Sequence, residues 1–130
     1  IYKSDFALIF SYPHKISENT INLFDNRIYN FHPANLPFYR GNLPTIWPIL
    51  NGDLYAYYTL HVINNNFDEG PIIAQDVVSV SHQHSVKEIV QAGRDIERRV
   101  LSSAVKAHLE HRIILDGQKT IICMIIFVRN

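Results

Sequence analysis

The chain has one cysteine, one methionine and one tryptophan among its 130 residues. A single thiol, Cys123, excludes an internal disulfide framework and suits a reducing compartment, so the expected location is the cytoplasm. Charge is also sparse, at 18% of residues, with 12 Lys+Arg against 12 Asp+Glu. Zero net charge removes any global electrostatic case for nucleic acid or a membrane surface as partner. No apolar run approaches the roughly 20 residues that cross a bilayer. The tail from Thr120 to Val128 reads better as a buried or paired strand. The opening Ile1-Tyr2-Lys3-Ser4-Asp5 lacks a signal-peptide layout, and neither repeats nor low-complexity tracts occur.

What is present is ordinary globular composition, 47% apolar, enough for one domain over 1–130 but small for a complete α/β enzyme. Phe6 to Ser11 is a continuous apolar run, which predicts a central parallel strand covered on both faces. Ser17 caps a short helix that carries Ile21, Leu23 and Phe24 and ends near Asp25-Asn26. Ile28 to His32 alternates as a strand, with Ile28, Asn30 and His32 on one side and Tyr29 and Phe31 on the other. Pro33 ends it, and the Pro-, Asn- and Gly-rich run to Gly41 is a loop. Pro44 to Leu50 predicts a short helix with Gly52 past its end, packed on the sheet by Trp47 and by Ile49 or Leu50. Ala56 to Ile63 predicts a strand with Tyr57, Thr59, His61 and Ile63 on one face. Asn64-Asn65-Asn66 is a turn composition. Ile72-Ile73 and Val77 to Val80 predict two short β segments. Ser85 and Glu88 form a capping box opening the longest helix, whose apolar positions run from Val86 through Ile89, Ile96, Val100 and Ala104 to Leu109. Gly93 inside that helix implies close packing. Ile113 to Leu115, Asp116-Gly117 and Lys119 to Cys123 predict a hairpin.

An amide and an imidazole therefore project together from a strand end, Asn30 and His32, and a carboxylate, Asp68, follows before a Glu-Gly turn. Open α/β sheets place chemistry at such strand ends. Taken alone, an Asn and a His there are more often the hydrogen-bonded anchors of a loop. His61 reads as structural or functional with equal weight. His82-Gln83-His84 reads as a solvated turn and makes a poor metal site. His14, His108 and His111 look like surface residues, and Cys123 like inert core.

In their order and spacing, Asn30-x-His32, Leu36-Pro37-Phe38-Tyr39-Arg40-Gly41, Thr59-x-His61 and Phe67-Asp68-x-Gly70-Pro71-Ile72-Ile73 resemble the folate-dependent formyltransferase family, whose one-carbon donor is 10-formyltetrahydrofolate. The resemblance implies a Rossmann-like α/β fold with a mixed, mostly parallel sheet flanked by helices. It also implies that these residues are the second half of the catalytic domain, without the usual N-terminal half. Catalysis would fall to Asn30, His32 and Asp68, with His61 in support. Tyr12, Pro13 and His14, and Asn64, Asn65 and Asn66, would contact the folate. On the residues alone, the stretch from Tyr12 to Ile16 is equally a plain connection. No metal is implied.

The chemistry suits those side chains. Formyl transfer needs a donor aimed at an oxyanion, which the Asn30 amide supplies without changing protonation. It needs proton traffic near neutral pH at the N10 amine, which suits His32, with Asp68 favouring the imidazolium. Residues 69 to 123 resemble the deformylases of the family, which hydrolyse the donor to tetrahydrofolate and formate. Pro33, Tyr39-Arg40-Gly41 and Pro44-x-x-Trp47 instead resemble the transferases that act on amines, amino sugars or glycinamide ribonucleotide among them. Pro33 and Ala34 stand where deformylases carry a second histidine and a serine, and Tyr57 stands where the family has glycine. Hydrolysis is the leading expectation, transfer to an amine the alternative, and a non-catalytic folate-binding fragment the third reading. A sheet edge left without its neighbour would favour a homo-oligomer.

Overall fold

The computed structural model describes residues 4–81 and 83–122. Four strands, β1 (Ala7–Phe10), β2 (Ile28–His32), β3 (Tyr55–Val62) and β4 (Ile72–Ser79), form one sheet in the order β1-β2-β3-β4. Helix α1 (Glu18–Leu23) joins β1 to β2, and α2 (Trp47–Asn51) lies between β2 and β3. Helix α3 (Val86–Leu109) follows β4 and leads to a separate hairpin, β5 (Ile113–Asp116) and β6 (Lys119–Ile122). The sheet is mixed and flanked by helices, as the α/β expectation holds. Its balance differs: β1 and β2 are parallel, but β2–β3 and β3–β4 are antiparallel. The connection between Val62 and Ile72 is too short for the crossover that a parallel return of β4 would need.

The period-two pattern of the strands decides which face receives the core. Tyr29 and Phe31 of β2, Tyr58, Leu60 and Val62 of β3, and Ile73 of β4 pack against Ile89, Ile96, Val100 and Ala104 of α3. The buried stripe of α3 also includes Gly93 and Ala107, in steps of three and four residues. The helix starts where Ser85 Oγ accepts the Glu88 amide and Glu88 Oε2 accepts the Ser85 amide at 2.8 Å. Gly93 is there because a Cβ would meet the Tyr58 ring at 2.1 Å. The opposite face, with Asn30, His32, Thr59 and His61, is left free of α3 and faces the loops.

Several details differ from the sequence reading. β1 lies at the sheet's edge, half-buried, because its only described neighbour is β2. Leu23 is exposed, and Ile21 alone anchors α1. Trp47 and Leu50 are exposed too, so Ile49 and the buried Pro48 seat α2. The two β segments after Gly70 are one continuous strand, since β3 is long enough to pair with all of it. At the two ends of α3, Val86 and Leu109 are exposed. His108 is no surface bystander: its Nδ1 lies 2.7 Å from the Tyr29 hydroxyl and its ring meets Phe6. His82, Cys123 and the rest of the tail lie outside the described residues. No described helix is long and apolar enough to cross a membrane.

Candidate active site

β2 and β3 run side by side in a register that opposes Asn30 to His61 and His32 to Thr59. Directly opposed residues of an antiparallel pair point to the same face, so the amide and the second imidazole meet. Asn30 Nδ2 lies 3.2 Å from His61 Nε2. A shift in the β3–β4 register falls between Leu60 and His61, the kind of irregularity that re-aims a side chain beside a functional site. Past β3 the chain turns through Asn64, whose Oδ1 accepts the Asn66 amide at 2.9 Å. It then brings Asp68 back over the strand ends at φ +53°.

Asp68 bridges the two imidazoles. Its Oδ2 lies 3.6 Å from His32 Nε2 and its Oδ1 3.5 Å from His61 Nε2, and all three side chains are at least nine-tenths buried. Asp68 Oδ2 also accepts the Gly41 amide at 3.0 Å. Gly70 closes the turn beneath: a Cβ there would meet the Val62 carbonyl oxygen at 1.7 Å. Only glycine permits that approach.

Proton placement follows from the acceptors. His61 Nδ1 lies 2.9 Å from the Val62 carbonyl, which can only accept, so Nδ1 carries a proton. In the neutral ring Nε2 then accepts from Asn30, which uses one of that amide's two N–H groups and leaves the other for an oxyanion. His32 Nε2 lies 3.2 Å from the Tyr39 carbonyl and donates to it. Burial lowers the His32 pKa, and His61 adds to that, while Asp68 and the Tyr39 carbonyl pull it back up. For Asp68, burial alone would raise the pKa. The adjacent His61 imidazole, the hydrogen bond from the Gly41 amide and the His32 imidazole outweigh it, and the carboxyl stays below its ordinary range. The arrangement holds a carboxylate against a buried imidazole, a pair suited to proton transfer.

A cleft opens on this cluster. Tyr12, His14, Asn64 and Asn66 line it together with Asn30, His61 and Asp68. An adjoining cleft adds Pro13, His32 and Gly41 and shares Tyr12, Asn30, Phe67 and Asp68. Asn65 instead lines an outer hollow with Arg40 and Glu69, which pair at 2.8 Å. Residues to which the sequence attached no role also stand here. Phe67 is 60% exposed and forms a wall of both clefts. Thr59 donates to the Ala34 carbonyl at 2.6 Å and accepts from Gln75 at 2.8 Å, which pins the loop after Pro33 to the sheet. A buried threonine on the same face as His61 was the available signal. Among the described residues, no group of three or more His, Cys, Asp or Glu side chains is placed to hold a metal ion.

Residues 1–105 match the formyl transferase family model. Formyltetrahydrofolate deformylase from Escherichia coli (strain K12) is 36% identical over 121 residues, which is 93% of this chain and 43% of that protein. Glycinamide ribonucleotide transformylase 1 from Symbiobacterium toebii superposes with a TM-score of 0.86 at 28% identity, over 91% of this chain and 56% of that one. Formyltetrahydrofolate deformylase from Pseudomonas syringae pv. tomato superposes with a TM-score of 0.85 at 33% identity, over 92% and 40%. The chain spans less than half the length of the curated relatives it matches.

Proposed function

Since this chain belongs to the formyl transferase family, we propose that it carries the reaction centre for hydrolysis of 10-formyltetrahydrofolate to tetrahydrofolate and formate. We read 1–130 as one catalytic unit corresponding to the second part of the family's domain. The observation that carries the reading is the convergence of Asn30, His32 and Asp68 where two clefts adjoin, one walled by Tyr12, His14, Asn64 and Asn66 and the other by Tyr12, Pro13 and His32. Water adds to the formyl carbon, and the oxyanion that forms takes a hydrogen bond from the Asn30 amide. Asp68 and His32 remove the water's proton and return one to N10 as the C–N10 bond breaks, releasing formate. The folate's ring lies in the cleft against the stretch from Tyr12 to His14. The single cysteine supports a reducing compartment, the cytoplasm.

A second reading is transfer of the formyl group to an amine. The loop Pro33 to Gly41 favours it, because Arg40 and Glu69 form a charged rim beside Asp68 where a polar acceptor would approach. The deciding experiment incubates the chain with 10-formyltetrahydrofolate and follows tetrahydrofolate and formate with no amine added, beside an Asp68→Asn control. Release in the wild type and its loss by roughly a hundredfold or more in the control is the expected result. Binding without release, followed by turnover once an amine is supplied, would replace hydrolysis with transfer. Binding with no turnover under either condition would make this a folate-binding unit only.

A further inference from the structure

Tyr39 has two unrelated attachments. Its hydroxyl donates to Asp53 Oδ2 at 2.7 Å and accepts from Asn51 Nδ2 at 2.9 Å, both at the C-terminal end of α2. Its carbonyl accepts from His32 Nε2 at 3.2 Å. Between the two, the backbone sits at φ +55°, a left-handed conformation that a bulky residue holds only when its surroundings enforce it. The tether supplies that enforcement. α2 ends in Gly52 at φ +70°, and the Asp53 amide returns to the Pro48 carbonyl at 2.8 Å, so the anchoring carboxylate is itself fixed. Two residues beyond Tyr39, the Gly41 amide donates to Asp68. One turn thus offers an acceptor to the imidazole and a donor to the carboxylate.

We propose that Tyr39 is a positioning residue for His32: moored through its hydroxyl to Asp53 and Asn51, it holds the carbonyl that keeps the proton on His32 Nε2 beside Asp68. The inference rests on the reading of His32 as a reacting group. A carbonyl is a better guide for that proton than water, because it cannot reorient and is already desolvated. Loss of the tether lets the turn relax from its left-handed backbone, which withdraws the carbonyl from His32 and loosens Gly41 from Asp68. The imidazolium loses an acceptor, and His61, the other ionisable group facing His32, stays where it is.

The test reads His32 directly and in turnover. Proton exchange at the ring of 13C-histidine-labelled protein is followed by NMR against pH, with His32 assigned from a His32→Asn variant. In Tyr39→Phe and Asp53→Ala the His32 midpoint moves to lower pH. Turnover of 10-formyltetrahydrofolate falls roughly tenfold, while KM stays within about twofold. Asp53→Asn, whose amide oxygen still accepts from the tyrosine, restores both. Folded Tyr39→Phe and Asp53→Ala proteins with an unmoved midpoint and unmoved turnover would overturn the proposal. Should those variants fail to fold, Asn51→Ala removes one tether at an exposed helix end and must shift the midpoint the same way by less; no shift overturns the proposal. A midpoint that moves in a protein with no turnover leaves the hold of Tyr39 on His32 standing and refutes the assigned reaction instead.

Discussion

At the scale of single residues, the candidate site is a small set of buried polar groups whose protonation is set by neighbours. His32 titrates below its ordinary value of 6.5, chiefly through burial. A histidine depressed in this way binds fewer protons folded than unfolded. Its contribution to stability is complete above the unfolded value and is lost as pH falls through the folded one. Asp68, held below 3.8, acts with the same sign deeper in acid. The melting temperature should therefore fall on acidification from about pH 7 to about pH 5, and His32→Asn should flatten that slope. A wild-type melting temperature that is level across the window would contradict the burial argument. The identities of Asn30, His32 and Asp68 were legible because each stands in a short, ordered motif. Tyr39 and Gly41 had no such signal for their roles, since they act through backbone atoms that any residue possesses.

At the scale of elements, two glycines carry the packing of the site and the core. Gly93→Ala gains helix propensity of about 1 kcal/mol but drives a methyl into the Tyr58 ring. That ring is buried, its hydroxyl donates to the Ile89 carbonyl at 2.8 Å, and burial pushes its pKa up to about 12. It cannot swing away, so the variant should be less stable by about 1–3 kcal/mol. Denaturant melts of Gly93→Ala alone and in a Tyr58→Leu background give the coupling, and equal losses in both would refute the clash. Gly70→Ala should act differently. Its methyl meets a backbone carbonyl, so the turn carrying Asp68 must move, and turnover should fall by roughly a hundredfold. Full turnover in Gly70→Ala would show that the Asp68 turn tolerates displacement. The close packing at Gly93 was readable from its place in the helix. The approach of Gly70 to Val62 was not, because no local pattern reports which strand a turn will cross.

At the scale of the whole molecule, one sheet divides the labour between its faces. α3 covers one, and the loops after β2 and β3 cover the other and build the cleft. Among the described strands β1 has a neighbour on one side only. Ala7 donates inward to the Arg27 carbonyl, and in a parallel ladder the amides of Leu8 and Phe10 then point outward. Such an edge pairs readily with another chain. Sedimentation of this chain should show self-association as concentration rises, and Phe10→Pro, which deletes an outward donor on an exposed residue, should reduce it. A single monomeric boundary for the wild type at high concentration would dispose of the edge argument.

The sequence by itself determined most of the elements and the faces of β2, β3 and α3. Alternation in β2 and β3, the capping box at Ser85 and the stripe of α3 are local patterns, and local patterns survive without knowledge of what they will meet. It also determined the family, through motifs whose residue types the chemistry demands. Tertiary structure alone decided how those pieces were paired. The antiparallel return of β3 opposed Asn30 to His61, and the turn at Gly70 carried Asp68 to both imidazoles. The mooring of Tyr39 at the end of α2 aimed a carbonyl at His32. Each of these joins residues distant along the chain, and their contact depends on register and turn geometry, which only the packed sheet and its loops could set.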